Sequence, residues 1–325
     1  MPQFQYVAPR SLDEAADQLA EHGAQAMVVA GGTDLYPNMK RRQQEPSVVI
    51  GLRALAPLRA IASENGALRI GPTATLHDVA THPLVRERFP ALATAAGLVS
   101  TPHLRRMGTL GGNLCLDTRC TYYDQNYHWR KSIDFCMKKD GAICWVAPNS
   151  RRCWAVSSSD TAPVAVALRA RLTLVSAGGQ RTVEASELFR DDGIDYLTRR
   201  PDEIVSSIEL ADHTDWRMTY EKLRRRGSFD FPILGVAAAV KLSDGLIEDV
   251  RLVLGAVGSS PVDQSDIARA LVGTRPTREA IESVAAAAYR GARPLDNTDL
   301  HYAWRKKMTR VYVGRALARV CDVDI

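Results

Sequence analysis

No segment of this 325-residue chain approaches the run of about 18 apolar residues needed to cross a bilayer. The opening residues, Met1 to Tyr6, also lack the apolar stretch of a secretion signal, so a cytoplasmic location is expected. There is no internal repeat, no low-complexity tract and no cluster of Lys and Arg interleaved with aromatics. Nucleic acid is therefore not an expected partner, and the formal net charge of +5 leaves room only for some preference toward an acidic protein. Two familiar signatures are missing as well: the Gly-x-Gly-x-x-Gly dinucleotide fingerprint and the closely spaced Cys-x-x-Cys pairs of structural zinc sites. What remains is globular in composition, 46% hydrophobic and 24% charged, which excludes disorder, coiled coil and collagen-like repeats. The length predicts two or three packed subdomains rather than one core.

The six cysteines are unevenly spread: five fall between Cys115 and Cys153, and only Cys321 lies elsewhere. In a reducing compartment they are not expected to form disulfides, so their placement points to another use.

Hydrophobic periodicity divides the chain. Ser11-Leu12-Asp13-Glu14 reads as a capping box opening a helix that stops at Gly23. A strand at 26–30 then runs into Gly31-Gly32-Thr33-Asp34, and Ser47 to Ile50 reads as a second strand. From Ala67 a further unit begins, with a cap at Thr75 to Asp78 and helical stretches to about Gly97. Strands at 171–176 and 181–185 flank a Gly-Gly hairpin turn, and Ile204 to Leu210 alternates like a strand. The polar stretch Ala211 to Asp215 marks a boundary. Beyond it, strands around 218–225, 233–242 and 247–257 precede helices around 264–271, 277–290 and 301–320, the pattern of an antiparallel sheet covered by helices.

Two glycine loops carry the chemistry. Adjacent glycines after a strand let the backbone approach a ligand and aim its amides at an anion, although alone they often mark a simple turn. The second loop, Thr109-Leu110-Gly111-Gly112-Asn113-Leu114, adds an Asn able to bond a ligand or to hold a left-handed turn. Taken together, Ala30 to Lys40 and Thr109 to Asn113 resemble the paired glycine motifs of the flavin subunits in the xanthine dehydrogenase and CO dehydrogenase families. The resemblance continues through Ser159-Asp160-Thr161-Ala162-Pro163, Tyr220-Glu221-Lys222 and Phe229 to Ile233, and covers nearly the whole chain.

That resemblance implies an α+β fold: a two-part FAD-binding domain of the vanillyl-alcohol-oxidase-like (PCMH) type, followed by a CO dehydrogenase flavoprotein C-terminal α/β domain. The implied divisions are 1–58, 59–215 with an insertion at about 115–157, and 216–325. It implies FAD held by Val29, Ala30, Gly31, Gly32, Thr33, Asp34 and Leu35 on the first loop and by Thr101, Thr109, Gly111, Gly112 and Asn113 on the second. Asp160 and Lys222 would lie beside the flavin ring, where a cation stabilises the reduced form. From the residues alone, Lys222 also reads as an exposed strand lysine in a basic stretch. No catalytic residue is expected in this chain.

Ordinary members are short between Asn113 and Asp160, whereas this chain carries an insertion there. Within it Cys120, Cys136, Cys144 and Cys153 are separated by fifteen, seven and eight residues. By spacing alone an iron-sulfur cluster, a zinc ion and unliganded buried thiols all stay open. Resemblance narrows the field: the insertion is similar to that of the flavin subunits of 4-hydroxybenzoyl-CoA reductases, which implies a 4Fe-4S cluster on these four cysteines, with Cys115 and Cys321 left as plain thiols. Trp129, Trp145, Trp154, Tyr122, Tyr123 and Tyr127 are expected to form an aromatic shell around it.

The implied partners are a molybdenum-cofactor subunit and a 2Fe-2S subunit in an (αβγ)2 heterohexamer. Electrons would pass from ferredoxin through the cluster and FAD to reductive dehydroxylation of 4-hydroxybenzoyl-CoA on the partner. The alternative is a flavin subunit that passes electrons to NAD, with the insertion only structural. Basic side chains in the insertion (Arg119, Arg130, Lys131, Lys138, Lys139, Arg151, Arg152) outnumber the acidic ones (Asp117, Asp124, Asp134, Asp140), and Lys138 with Lys139 is the expected docking patch for an acidic carrier.

Overall fold

The computed structural model describes residues 1–324. The first helix, Leu12–His22, starts on Ser11, whose hydroxyl accepts from the Glu14 amide at 3.0 Å, and ends at Gly23 with φ of 52°. The reciprocal half of the expected capping box goes elsewhere: the Glu14 carboxylate accepts from the Arg10 amide. This helix covers a three-stranded parallel sheet of Gln5–Val7, Val48–Gly51 and Ala26–Val29, with Val48–Gly51 in the middle and buried throughout.

A five-stranded antiparallel sheet follows, in the order Ile61–Glu64, Ala67–Ile70, Ile204–Leu210, Arg171–Ser176, Gly179–Glu184. Its central strand is supplied from far along the chain, so the segment between 70 and 171 is returned to the same sheet as a closed excursion. That excursion contains the helices of the second glycine loop, the insertion, and the wholly buried helix Thr161–Ala167.

The last unit is a four-stranded antiparallel sheet, Val262–Asp263, Leu246–Gly255, Leu234–Ser243 and Trp216–Leu223, packed by helices Arg278–Gly291 and Tyr302–Cys321. In the Leu234–Ser243 strand, Leu234, Val236, Ala238 and Val240 face those helices, while Ala237 and Ala239 enter the core of the five-stranded sheet. Burial on both faces explains why this strand reads as an unbroken apolar run rather than an alternating one.

The insertion has little regular structure. Its stem is closed by an antiparallel bridge between Arg119 and Val156, and its one helix is Tyr127–Ser132. It is held from every side: Arg130 reaches the carbonyls of Arg41 and Arg42, Thr121 and Trp154 bond Asn297, and Ser157 bonds Gly258. No helix among the described residues is long and apolar enough to cross a membrane.

Candidate functional site

A cavity of about 1090 Å³ opens where the parallel sheet, the second glycine loop and the insertion meet. Val29, Ala30, Gly31, Gly32, Thr33, Asp34 and Leu35 line it from the end of the Ala26–Val29 strand, and Thr109, Gly111, Gly112 and Asn113 line it from the facing loop. The two loops touch because Gly31 has no side chain: a Cβ there would sit 1.9 Å from the Met107 carbonyl oxygen. Gly32 adopts φ of +70°, and a Cβ on it would lie 2.4 Å from the Tyr36 ring, so both backbone and space demand glycine.

Asn113 is fixed by its neighbours. Its side-chain oxygen accepts from the Ser159 hydroxyl at 2.9 Å, the Thr161 hydroxyl at 2.7 Å and the Thr161 amide at 3.2 Å. With the oxygen committed, the amide NH2 is the group left for a ligand in the cavity. Asp160 lines the same wall and is buried, and beneath it lies Lys222 at 2.9 Å, with the Tyr220 hydroxyl donating to the other carboxylate oxygen at 2.8 Å. The Lys222 ammonium also donates to the carbonyls of Leu98 and Asp230, and its side chain is 1% exposed. Burial pushes the Asp160 carboxyl up and the Lys222 ammonium down, and each opposes the other's shift across the short ion pair. The reading of Lys222 as an exposed strand lysine is thus corrected: neighbouring Arg225 and Arg226 are on the surface, but Lys222 turns inward.

Of the expected ligand residues, Lys222 reaches the cavity only through Asp160, and Thr101 stands apart. It does not line the cavity, and its hydroxyl caps the Pro102–Arg105 turn by accepting from the Leu104 amide. Several lining residues were not among the expected ligands. Asp117, Arg119 and Asp124 come from the base of the insertion, Tyr196 and Arg199 from the irregular segment before the Ile204–Leu210 strand, and Phe229 and Phe231 from a loop at the mouth. Arg119 is the joint between loop and insertion: its guanidinium pairs with Asp34 on the first glycine loop and with Asp124 at 3.1 Å. Polar residues of this kind look like ordinary surface until the chain is folded.

Inside the insertion Cys120, Cys136, Cys144 and Cys153 are all buried. Cys120, Cys136 and Cys153 share one small core with Tyr123 and Ala155, and Cys144 is near enough to Cys153 to act on its thiol. Burial pushes the Cys120 thiol up to about 12 and the Cys153 thiol up to about 11. Among the described residues no group of three or more His, Cys, Asp or Glu side chains is arranged to hold a metal ion. Cys115 lines the large cavity and Cys321 sits in the C-terminal core.

Two expectations about the insertion are corrected. Its aromatic shell is thinner than anticipated: Tyr122 and Tyr123 pack at the cysteines with Met137 and Val146, whereas Trp129 and Trp145 are exposed and Trp154 stacks on the Arg152 guanidinium at 3.6 Å. The basic excess is also not a surface property. Arg119 and Arg130 are buried, and the Lys138 side chain is 5% exposed and paired with Asp117 at 2.8 Å, so Lys138 cannot serve as half of a docking patch.

Paired glycine loops opposed across one cavity, with a fixed Asn and the buried Asp160 in its wall and Lys222 behind it, define a nucleotide-binding flavoprotein. Comparison with known proteins identifies the family. The model described as "FAD binding domain in molybdopterin dehydrogenase" matches residues 2–211, and "CO dehydrogenase flavoprotein C-terminal domain" matches residues 218–320. The chain belongs to this family as the FAD-binding subunit, or medium chain, of a molybdenum hydroxylase-type oxidoreductase, and the expected two-part FAD-binding fold with its C-terminal domain is borne out. It is 27% identical to the carbon monoxide dehydrogenase medium chain of Hydrogenophaga pseudoflava, over 97% of this chain and 96% of that one. It is likewise 27% identical to the nicotinate dehydrogenase FAD-subunit of Eubacterium barkeri, over 87% and 84%. Among solved structures, carbon monoxide dehydrogenase from Hydrogenophaga pseudoflava superposes with a TM-score of 0.81 at 26% identity, covering 98% of this chain and 97% of that one.

Proposed function

We propose that this chain is an electron-transfer subunit that carries FAD in the large cavity and a 4Fe-4S cluster on Cys120, Cys136, Cys144 and Cys153. The observation that carries this reading is the gathering of four buried thiols, distant in sequence, in a segment whose base also forms the cavity wall. The donor set is all thiolate, as iron-sulfur clusters require. Structural zinc sites usually draw on closely spaced cysteine pairs, and the four cysteines here are seven or more residues apart.

FAD supplies one- and two-electron exchange when bound. The residues around it orient and insulate it. Backbone amides of Gly31 to Asp34 would face the phosphates, Gly111 and Gly112 would line the ribityl chain, and the Asn113 amide would donate to the ligand. Asp160 would lie beside the ring with the Lys222 ammonium behind it, held to favour negative charge there. Domain limits at residues 58 and 215 follow the sheets of this arrangement.

In the finer form of this reading, the partners are a 2Fe-2S subunit and a molybdenum-cofactor subunit in an (αβγ)2 assembly in the cytoplasm. 4-Hydroxybenzoyl-CoA is dehydroxylated there, with an acidic carrier such as ferredoxin as donor. The exposed cations left for such a carrier on the insertion are Lys131 and Arg151, since Lys139 pairs with Asp140 and Arg152 with Asp191. A second reading takes the chain as the flavin subunit of a dehydrogenase, the name the relatives compared above carry, with NAD as the acceptor for FAD and the insertion structural. Iron, acid-labile sulfide and flavin content of anaerobically purified protein decides between them. Flavin with iron and sulfide is the expected result. Flavin without iron leaves the second reading standing alone.

A further inference from the structure

A lysine whose three N–H donors are all spent inside the protein lies between the thiol nest and the flavin cavity. Lys138 Nζ donates to Asp117 Oδ1 at 2.8 Å, Thr118 Oγ1 at 2.7 Å and the Gly193 carbonyl at 2.5 Å. It rests over the rings of Tyr123 at 4.8 Å and Tyr196 at 5.4 Å. On one side, Asp117 lines the cavity and accepts from the Tyr123 hydroxyl at 3.1 Å and from Gln44 through the carboxylate oxygen that Lys138 does not use. On the other side, Gly193 is pressed against the cysteines: a Cβ there would lie 2.7 Å from Cys153 Sγ, and its amide donates to the Cys153 carbonyl at 3.0 Å. A single residue, Gly193, thus lies between the ammonium and the Cys153 sulfur.

Stability does not account for this arrangement. A buried ion pair is often no better than a well-packed apolar pair of the same volume, because both charges must be stripped of water. The insertion already has a small apolar core in which to bury a methyl or an aromatic. A fixed charge in a poorly screened interior does have one strong effect: it acts on any neighbouring group whose charge changes. A cluster held by four thiolates gains one negative charge when it takes up an electron, and its potential responds to charge and hydrogen bonds close to its sulfurs.

We propose that Lys138, held by Asp117, is a positioning residue that fixes a positive charge against the Cys153 side of the cluster and so sets its reduction potential relative to the flavin across the shared wall. This rests on the reading that the four cysteines hold a cluster. Lys138 favours the reduced, more negative cluster, and Asp117 moderates that effect while anchoring the ammonium to the cavity wall.

The test is a dithionite redox titration of the anaerobically purified full enzyme, followed by electron paramagnetic resonance of the cluster and by flavin absorbance, with iron and sulfide measured on every sample. Lys138→Met shifts the cluster's midpoint potential downward and Asp117→Asn shifts it upward, while Lys138→Arg, which keeps the charge, stays near the parent. Opposite shifts from the two halves of one ion pair are not what loss of packing produces. Unmoved potentials, or shifts of the same sign in both variants, overturn the proposal. Should Lys138→Met fail to retain iron, Asp117→Asn and Lys138→Arg decide it, and an Asp117→Asn cluster at the parent's potential overturns it. A parent enzyme without iron and sulfide defeats instead the assignment of the cluster, before Lys138 is in question.

Discussion

Gly32 and Gly112 sit on opposite walls of one cavity, yet they are glycine for different reasons. At Gly32 the backbone is left-handed and the Tyr36 ring occupies the space a Cβ would take. Gly32→Val is expected to lose about 1–3 kcal/mol of stability to backbone strain alone, and its flavin with it. Gly112 has no such backbone demand, and a Cβ on it meets only Thr109 Oγ1 at 3.0 Å. Gly112→Val is expected to keep a melting temperature close to the parent's while its flavin content falls, because its side chain fills ligand space. Melting curves taken on flavin-stripped protein check both, and equal destabilisation of the two variants would contradict the distinction.

The buried pair beneath the cavity yields a second contrast among single residues. Asp160→Asn leaves the Lys222 ammonium without its anion in the interior, a change worth about 3–5 kcal/mol. Tyr220→Phe removes one hydrogen bond to the same carboxylate and is expected to cost about 1 kcal/mol. Urea unfolding of both variants gives the ratio directly. A Tyr220→Phe loss equal to that of Asp160→Asn would mean that the tyrosine, not the lysine, holds the carboxylate.

At the scale of elements, what was legible in the sequence was what leaves a local mark. The cap at Ser11, the stop at Gly23, the Arg171–Ser176 and Gly179–Glu184 hairpin and the terminal helix Tyr302–Cys321 all carry periodic or capping signals that neighbours reinforce. The helix Thr161–Ala167 carried none, because it is buried on all sides and has no polar face to alternate with. The same holds for the site. Glycines at a strand end announce themselves by residue type, but Asp117, Arg119 and Lys138 read as surface charge, and only the fold shows that they are spent on one another and on Asp34.

The insertion, with one short helix and a small core of its own, is the element whose order depends most on what its cysteines bind. Cys136→Ser is expected to lose the iron and to make the 120–153 segment sensitive to limited proteolysis, since metal binding and local folding are coupled. Flavin is expected to stay, because the glycine loops do not belong to that core. Protease sensitivity spreading into the Leu234–Ser243 strand would show that the insertion is not a separate folding element.

For the whole molecule, the 292–300 loop is a fastener. Arg305, fully buried in the terminal helix, donates to the carbonyls of Leu295 and Ala256, and Asn297 bonds both Trp154 and Thr121 across to the insertion. Asn297→Ala removes the bond to Trp154 and is expected to cost about 1–3 kcal/mol, read as a lower melting temperature of the iron-loaded protein. The same substitution in a chain whose insertion has lost its iron is expected to cost less, since its partner is by then already loose. Equal losses in the two backgrounds would show that Asn297 works within its own loop.

The bridge between Arg119 and Val156 brings the two ends of the insertion to within one hydrogen-bonded step of each other. A segment that leaves and re-enters a fold at a single point can be spliced in or out without lengthening the path the rest of the chain must follow, and the entropy of closing such a loop grows only slowly with its length. Neither large core contributes a strand to it. In evolutionary terms the insertion is a graft on an existing stem: one event at the gene level suffices to acquire or discard it, and the bonds of Arg130, Thr121 and Ser157 to the scaffold then fix where it lies.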